Sequence, residues 1–435
     1  MKTALTAVLL LLHGATALAQ EELRVDGERL NATMTEMQNF GGTKEGGSLR
    51  VAYSEPNKQA LDYLDGLMRD AGLATHIDAA GNLIGRRAGS EPELQPIMTG
   101  SHIDTVPNGG HFDGIVGVMA AVEVARTLHE QNVELRHPLE VVVWSNEEGG
   151  KTGSRAVMGS VAPWEFDLPS LGERKIGDGI RFLGGDPQSI DEVARAQGEL
   201  AAYLELHIEQ GAILDRAGQS IGVVEGIVGI RRWNVTVEGV ANHAGTTPMD
   251  QRQDALYAAA QFVTMVRHVT VDMPGTQVAT VGRIEAHPGA PNVIPGKATL
   301  SLEIRDLSME KIGRLFEQIR LASEALGEET GTTIAFTQFY ESPAAPTDDR
   351  ISSLVEETAD ALKLSYRRMP SGAGHDAQSL AGIGPIGMIF VPSRNGVSHA
   401  PTEFTSPEQI TNGANVLLGT LLRIDQWGKS TADTP

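Results

Sequence analysis

Two short apolar runs with a long helical pattern between them restrict this chain to an α/β architecture. Residues 96–100 and 139–144 are rich in apolar and β-branched side chains, and residues 114–130 between them have the pattern of one long helix. A strand, a crossover helix and a second strand form a βαβ-type unit. We therefore expect an α/β domain with this unit at its centre.

Polar side chains lie just past the end of each predicted strand, where α/β proteins place functional residues. His102 and Asp104 follow the first strand, and Glu147 and Glu148 follow the second. Residues i and i+2 of an extended backbone share a side, so we expect the Asp104 carboxylate to accept a hydrogen bond from His102 and fix its tautomer. Taken alone, His102 is better explained as a partly buried histidine at a strand end.

The adjacent acids Glu147 and Glu148 favour a metal site. Two neighbouring carboxylates, followed by two glycines that allow close approach of the backbone, repel each other unless a cation neutralises them. One glutamate then serves as a ligand, while the other takes a proton from metal-bound water. The alternative is a solvated acidic turn. In the same way Asp113, directly before Gly114, would by itself be the N-cap of the predicted helix.

Two more histidines complete a set of metal ligands. His207 lies within an alternating apolar segment, and His399 follows a loop that contains glycine. The chain has no Cys, which excludes disulfides, thiolate zinc sites and a cysteine nucleophile. The remaining candidates are hard and borderline ligands that suit two zinc or manganese ions bridged by a carboxylate: His102, Asp113, Glu148, His207 and His399.

The middle of the chain has a different pattern, which indicates an inserted α+β domain over residues 226–340. The larger domain then covers residues 20–225 and 341–427, with a polar tail at 428–435. A length of 435 residues, against roughly 150 for a typical single domain, agrees with this division. The inserted domain combines alternating strands with helical segments, at residues 232–239, 276–285 and 298–305 for the strands and 254–268 and 309–327 for the helices.

The first nineteen residues have the pattern of an export signal. Lys2 supplies a positive charge, residues 4–12 form a short apolar run, and Ala-Leu-Ala at 17–19 matches the small-x-small cleavage pattern. We expect cleavage near Ala19 and Gln20 and a periplasmic or secreted protein. The apolar run is far shorter than the roughly 20 residues that span a bilayer, so no membrane span is expected. The alternative is a buried N-terminal helix.

Six motifs together resemble the amidohydrolase branch of the di-zinc aminoacylase/carboxypeptidase superfamily, which contains N-carbamoyl-L-amino acid hydrolases and allantoate amidohydrolases. The resemblance extends from about Arg24 to Trp427. It implies a mixed-sheet catalytic domain of the di-zinc exopeptidase type, with an inserted lid and dimerisation domain. The motifs are Gly-Ser-His-Ile-Asp-Thr-Val at 100–106, Phe-Asp-Gly at 112–114, Asn-Glu-Glu-Gly at 146–149, Glu-Leu-His-Ile-Glu-Gln-Gly at 205–211, Asn-His-Ala-Gly-Thr-Thr-Pro-Met at 242–249 and Ser-Gly-Ala-Gly-His-Asp-Ala at 371–377.

The resemblance implies two zinc or manganese ions per subunit and a role for each ligand. One ion would be held by His102, Asp113 and His207, and the other by Asp113, Glu148 and His399, so that Asp113 is the bridge. Glu147 would be the general base. His207 itself resembles the amidase branch, because the peptidase branches usually have a carboxylate at this position.

The resemblance also implies substrate contacts from the inserted domain. His243 would stabilise the developing oxyanion, and Arg305 would bind the substrate carboxylate through two parallel hydrogen bonds. Further substrate contacts would come from Arg232, Asn292 and Gln210. Without the surrounding motifs, the same side chains have plain explanations as a surface-loop histidine, a turn asparagine and solvated strand charges.

These features favour a metal-dependent amidohydrolase that acts on the carbamoyl C–N bond of a small carboxylate, such as allantoate or an N-carbamoyl-L-amino acid. An exported aminoacylase or dipeptidase-like exopeptidase remains an alternative. A third alternative is an envelope binding protein that has lost catalysis, although the base and all ligands are present. The formal net charge of −21 argues against a nucleic-acid partner, and a homodimer through the inserted domain is expected.

Overall fold

The computed structural model describes residues 23–428, which form two compact units. The first unit contains the described residues up to Glu225 and those from Thr347 onward, and the second spans Gly226–Pro346. The expected export signal at 1–19, and all but the first residue of the expected polar tail, lie outside the described residues. Within residues 23–428, no helix is both long and apolar enough to cross a membrane.

The first unit alternates helices with strands along the chain. The strands are β1 (Ala74–Ile77), β2 (Leu83–Arg87), β3 (Ile97–His102), β4 (Leu139–Trp144), β5 (Ala202–Ile208) and β6 (Ile221–Ile227), and, numbered after those of the second unit, β14 (Tyr366–Ser371) and β15 (Ile386–Val391). The α-helices before the second unit are α1 (Gly27–Met37), α2 (Glu55–Asp70), α3 (Ile115–Glu130), α4 (Thr152–Val157), α5 (Ile176–Leu183) and α6 (Ile213–Ala217). Those after it are α9 (Asp349–Ala361), α10 (Asp376–Leu380) and α11 (Pro407–Ile424), and short 3₁₀-helices span Pro163–Asp167, Pro187–Val193 and Arg394–Gly396.

These strands form one mixed sheet in the order β1-β2-β4-β3-β5-β15-β6, with β14 also paired to β6. The central strands β4, β3, β5 and β15 are parallel to one another, whereas β1, β2 and β6 join the sheet in antiparallel pairs. The mixed-sheet architecture expected from the sequence is therefore confirmed. All residues of the four central strands are buried, as expected for parallel strands covered by helices on both faces.

Helix α3 lies at the centre of the first unit. It packs on β3 and β5, and α11 packs against it. All but a few of its residues are buried, so it is apolar around most of its circumference rather than along one stripe. The helix therefore forms part of the core, and the loop that precedes it, which carries Asp113, is held against the sheet.

The second unit is a small antiparallel α+β domain. The strands are β7 (Gly229–Glu238), β8 (Asn242–His243), β9 (Val278–His287), β10 (Val293–Ile294), β11 (Lys297–Asp306), β12 (Thr333–Ser342) and β13 (Ala345–Pro346), and the helices are the 3₁₀ turn Met249–Gln251, α7 (Ala255–Asp272) and α8 (Met309–Thr330). The four-stranded sheet has the order β12-β7-β11-β9, and the short strands β8 and β10 form a separate pair. Apolar side chains on one face of β7 and β11 form a core with α7 and α8, in which the rings of Trp233 and Phe316 stack at 4.2 Å.

Candidate metal centre and active site

The candidate ligands of the first unit come together at one edge of its sheet. Strands β3, β4, β5 and β15 run in the same direction, so their carboxyl ends meet at this edge. His102 is the last residue of β3 and His207 lies near the end of β5, while the loops after β4 and β15 carry Glu147, Glu148 and His399. The topology therefore explains why residues far apart in sequence form one cluster.

Asp113 is at the centre of this cluster, and its two carboxylate oxygens face different partners. Oδ1 lies 3.2 Å from Nε2 of His207 and 3.7 Å from Nε2 of His102. Oδ2 lies 3.0 Å from Nε2 of His399, and this same nitrogen lies 3.5 Å from Oε1 of Glu148. The geometry is that of a carboxylate shared between two groups of ligands.

Two triads of potential metal ligands share Asp113: His102, Asp113 and His207, and Asp113, Glu148 and His399. In each triad, the ligand atoms lie within 4.8 Å of one another. Nε2 of His207 is buried and makes no hydrogen bond with any residue of the described chain. An unpartnered imidazole nitrogen aimed at a carboxylate fits a metal ligand, so the donor set is suited to two borderline cations such as zinc or manganese.

Backbone carbonyls fix the orientation of two ligand imidazoles. Nδ1 of His102 lies 3.0 Å from the carbonyl oxygen of Asp104, and Nδ1 of His207 lies 2.9 Å from that of Ile208. An Nδ1–H group that donates to a carbonyl leaves Nε2 with its lone pair directed at the metal position. The sequence indicated that the Asp104 carboxylate is this acceptor, but the carboxylate is further away, at 3.6 Å.

The Asp104 carboxylate instead holds the loop that carries the two glutamates. Its oxygens accept hydrogen bonds from the backbone N–H groups of Glu147 at 3.2 Å and Glu148 at 3.1 Å. Asp104 is also buried. It therefore links the end of β3 to the acidic loop after β4, and its carboxylate orients both glutamates.

Gly114 provides the space for His102. The residue has a φ of +69°, and a Cβ atom at this position would lie 2.4 Å from Nε2 of His102. Gly114 is also the N-cap of α3, and no side chain of the described chain caps this helix end. Asp113 is therefore not an N-cap residue, and its carboxylate is available to the metal ligands.

Burial and nearby negative charges raise the pKa values of the two glutamates. Burial raises the pKa of Glu147, and burial together with the charge of Asp113 raises that of Glu148 to about 8. Burial alone would raise the pKa of Asp113 too, but His102, His207 and His399 hold it well below its usual range. The cluster thus combines a bridging carboxylate that is strongly ionised with two carboxylates that need a cation nearby.

Glu147 lies beside the two triads rather than within them. Its Oε2 is 3.9 Å from Nε2 of His102, and its side chain is 11% exposed. The Nε2 atom of Gln210, a predicted substrate contact, donates to Oδ2 of Asp113 at 2.7 Å. The first unit therefore brings the predicted base, the predicted ligands and Gln210 into one site.

Sequence reasoning missed a buried group of residues behind His207. The ring of His375 packs edge-on against that of His207, with centroids 4.4 Å apart. Glu205, which is fully buried, accepts hydrogen bonds from Ser101 Oγ at 2.7 Å and from the N–H of Ala377 at 3.0 Å. His375 and Glu205 lie in two of the six motifs that carry the family resemblance, and this was the only indication in the sequence that they belong to the site.

In the second unit, a glutamate connects the two predicted substrate arginines. Nε of Arg232 donates to Oε2 of Glu303 at 2.6 Å, and Nε of Arg305 donates to Oε1 at 2.7 Å. Burial alone would raise the pKa of Glu303, but the two guanidinium groups outweigh it and lower the pKa. A carboxylate of the chain therefore orients both arginines and neutralises one of their two charges.

The other two predicted substrate contacts also lie together in the second unit. His243 in β8 is opposite Val293 in β10, and the carbonyl oxygen of Asn292 accepts a hydrogen bond from the N–H of Ala244 at 3.0 Å. Nδ1 of His243 accepts from the N–H groups of Gly245 at 3.0 Å and Thr246 at 3.2 Å. This arrangement places the proton of a neutral imidazole on Nε2, where it can be donated.

The two pairs of substrate residues flank opposite ends of β11. Asn292 precedes the first residue of this strand, and Arg305 is next to its last residue. Residues 297–305 of the strand are about 26 Å long, at about 3.3 Å per residue. Asn292 thus belongs to the segment before the start of β11, and Arg305 lies near the other end of the strand.

A mixed α/β sheet with two clusters of His and carboxylate ligands around one shared Asp defines the class of metal-dependent hydrolases with a two-metal centre. Residues 98–423 match the model of peptidase family M20/M25/M40, and the chain belongs to this family. The resemblance inferred from the six motifs is therefore confirmed.

Relatives over most of the chain carry names from the amidohydrolase branch. The chain is 38% identical to an N-carbamoyl-L-amino acid amidohydrolase of Geobacillus stearothermophilus, covering 92% of this chain and 99% of that one. It is 34% identical to an allantoate amidohydrolase of Escherichia coli, covering 92% and 98%. A crystal structure of a putative amidohydrolase/peptidase from Burkholderia cenocepacia matches with a TM-score of 0.85 and 38% identity, covering 93% and 99%.

Proposed function

We propose that this protein is a metal-dependent amidohydrolase that cleaves the carbamoyl C–N bond of a small ureido carboxylate, such as allantoate or an N-carbamoyl-L-amino acid. The observation that carries the proposal is Asp113, whose two oxygens face two separate groups of ligands. The names of the relatives support the same bond type. Peptidases also use two-metal centres, so the choice of a ureido substrate is inferred from the names of these relatives and from His207.

The proposed roles in the first unit follow from the geometry. His102, Asp113 and His207 would hold one ion, and Asp113, Glu148 and His399 the other. When bound, two such ions polarise the carbonyl group and lower the pKa of water. Glu147, which lies beside His102, takes the proton of the attacking water and delivers it to the leaving nitrogen as the C–N bond breaks.

The proposed substrate contacts in the second unit are a carboxylate site and an oxyanion donor. Arg305 and Arg232 are oriented through Nε by Glu303, and a guanidinium group fixed in this way is suited to bind the carboxylate of the substrate. His243 carries its proton on Nε2 and is suited to donate to the oxygen that becomes negative in the transition state.

We also propose a homodimer in which the partner subunit supplies part of each site. His243 and Asn292 belong to segments before the start of β11, whereas Arg305 lies near its end, and the strand between is about 26 Å long, which exceeds the size of a small ureido carboxylate. A mixing experiment tests this proposal. Subunits with Glu147→Gln and subunits with His243→Ala are each expected to be nearly inactive, and mixed dimers should regain activity only if the partner subunit supplies His243.

Export is a separate proposal, supported by the charge, apolar run and small-residue pattern of residues 1–19. Cell fractionation and N-terminal sequencing of the mature protein test it. A mature chain that begins near Gln20 in the envelope fraction is expected, and an intact chain that begins at Met1 in the cytoplasm would contradict it.

A substrate panel tests the proposed activity against the alternatives. The purified protein, supplied with zinc or manganese, is assayed on allantoate, ureidoglycolate, several N-carbamoyl-L-amino acids, an N-acetyl amino acid and a dipeptide. Release of ammonia and carbon dioxide from a carbamoyl substrate is the expected result. Turnover of only the acetyl or peptide substrate would favour the aminoacylase or exopeptidase alternative, and binding without turnover would favour the envelope binding protein.

A further inference from the structure

Glu403 joins the two loops that carry the predicted ligands Asp113 and His399. Its Oε1 accepts hydrogen bonds from the backbone N–H groups of Phe112 at 2.9 Å and Asp113 at 3.1 Å. Its Oε2 accepts from Ser398 Oγ at 2.9 Å and from the N–H of His399 at 3.2 Å. One carboxylate therefore holds the chain on both sides of the contact between Asp113 and His399.

The surroundings of Glu403 are built to keep this carboxylate in place. The residue is only 4% exposed, and the neighbouring rings of Phe404 and Phe112 pack edge to face at 5.6 Å. A Cβ atom on Gly110 would lie 2.1 Å from Oε1 of Glu403, so the glycine leaves the space that the carboxylate occupies. Buried carboxylates are costly unless their oxygens are satisfied, and here both oxygens accept hydrogen bonds.

The backbone of His399 shows why such a support is needed. His399 has a φ of +55°, a left-handed conformation that residues other than glycine seldom adopt unless the surrounding structure holds them there. The N–H of this residue donates to Glu403, while its Nε2 lies 3.0 Å from Oδ2 of Asp113. The hydrogen bond from the backbone thus fixes the direction in which the imidazole points.

We propose that Glu403 is a positioning residue of the metal centre, which sets the affinity for the ion held by Asp113, Glu148 and His399 by fixing the spacing of the Asp113 and His399 loops. This inference rests on the proposed two-metal function. The hydrogen bonds of Glu403 reach the loops of Asp113 and His399, and of these two ligands only Asp113 also belongs to the triad with His102 and His207. Loss of Glu403 should therefore affect this ion more than the ion held by His102, Asp113 and His207.

Glu403→Gln tests the proposal with little change in size. A glutamine has one acceptor oxygen, so it can satisfy one pair of donors while its NH₂ group faces the other pair. We expect two Zn²⁺ ions per chain in the wild type. In the variant, the dissociation constant of one of them, the ion held by Asp113, Glu148 and His399, should rise about 10–100-fold, as is usual for residues that support metal ligands. Equilibrium dialysis against buffered Zn²⁺ measures this, and the absorption spectrum of the Co²⁺-substituted protein reports the geometry of the site.

Two further variants separate positioning from general stability. Glu123→Gln is the matched control, since Glu123 is equally buried but accepts hydrogen bonds from Arg29 and the N–H of Asp26. It should lower the melting temperature without changing the affinity for either ion. Gly110→Ala keeps the Glu403 carboxylate but displaces it, so it should weaken the same ion as Glu403→Gln, and it decides the question if Glu403→Gln does not fold.

The outcomes distinguish this inference from the function on which it rests. A wild-type protein that binds fewer than two ions would remove the two-metal proposal itself. A wild type with two ions, combined with unchanged affinities and an unchanged Co²⁺ spectrum in Glu403→Gln and Gly110→Ala, would overturn the role of Glu403 alone.

Discussion

Oδ1 of Asp113 and Nε2 of His207 face each other at 3.2 Å, and the imidazole nitrogen makes no hydrogen bond within residues 23–428. Two groups with lone pairs directed at the same point are expected to share a cation. Because the other oxygen of Asp113 faces His399, this aspartate is the one side chain common to both triads.

The first prediction is that Asp113→Ala removes both ions, whereas His399→Ala removes mainly one. The first change deletes a ligand of both triads, and the second deletes a ligand of one. Elemental analysis after gel filtration measures the stoichiometry. If Asp113→Ala retains two ions, the bridging role is wrong. Chelation of the wild type should also abolish turnover, and added zinc or manganese should restore it.

A second prediction distinguishes the base from the ligands. Glu147→Gln keeps the size of the side chain but cannot accept a proton, so kcat should fall by roughly 10²–10⁴ while two ions remain bound. Glu148→Gln is the informative comparison, because Glu148 belongs to a triad and its replacement should weaken metal binding. Loss of an ion in Glu147→Gln would reassign this residue as a ligand, and an unchanged kcat would exclude it from the reaction.

The sequence predicted the grouping of the ligands because strand topology determines it. His102, His207 and the loops after β4 and β15 all lie at the carboxyl ends of four strands that are parallel to one another. A polar residue after each apolar run is visible without a structure. Asp113 was visible for a different reason, since it directly precedes the glycine that begins the long helix α3.

The residues that support these ligands were not predictable in the same way. Glu403 contacts the N–H of Phe112, a residue 291 positions earlier in the chain, and a single glutamate in a loop carries no periodic signal. For Asp104, the i and i+2 spacing correctly indicated proximity to His102. The backbone carbonyl oxygen of Asp104 nevertheless lies within hydrogen-bond distance of Nδ1 of His102, because the Asp104 carboxylate accepts hydrogen bonds from the N–H groups of Glu147 and Glu148.

A third prediction concerns recognition of the substrate carboxylate. Arg305→Ala should lower kcat/KM for a ureido carboxylate. The fall should correspond to a loss of about 2–5 kcal/mol of transition-state stabilisation, the range seen when one partner of a buried charge pair is removed. The same variant should have little further effect on the corresponding amide, which is expected to be a poor substrate. Steady-state kinetics on the matched acid and amide measure both effects.

Arg231→Ala is the control for Arg305→Ala. Arg231 is also paired with a glutamate, through its Nε and Oε2 of Glu341 at 2.8 Å, but it has no part in the Glu303 group. Its replacement should leave the preference for the acid over the amide unchanged. If Arg305→Ala weakens turnover of acid and amide alike, or if the wild type hydrolyses both equally, the arginine does not recognise a carboxylate.

The last prediction concerns Gly114, whose conformation and lack of a side chain both bear on His102. Gly114→Ala should lower the stability of the protein by about 1–3 kcal/mol, because alanine at a φ of +69° is strained. It should also weaken metal binding, since the added Cβ would lie 2.4 Å from Nε2 of His102 and the ring must move. Gly66→Ala is the control, because Gly66 is an exposed residue inside α2 and, apart from its chain neighbours and the backbone of its own helix, no described atom lies within 4 Å of a Cβ placed there. That change should raise stability by about 0.5–1 kcal/mol, as is usual for glycine in a helix interior, and leave metal binding intact. Chemical denaturation and metal titration of the two variants measure these effects, and normal zinc affinity in Gly114→Ala would show that His102 does not need its present position to bind the ion.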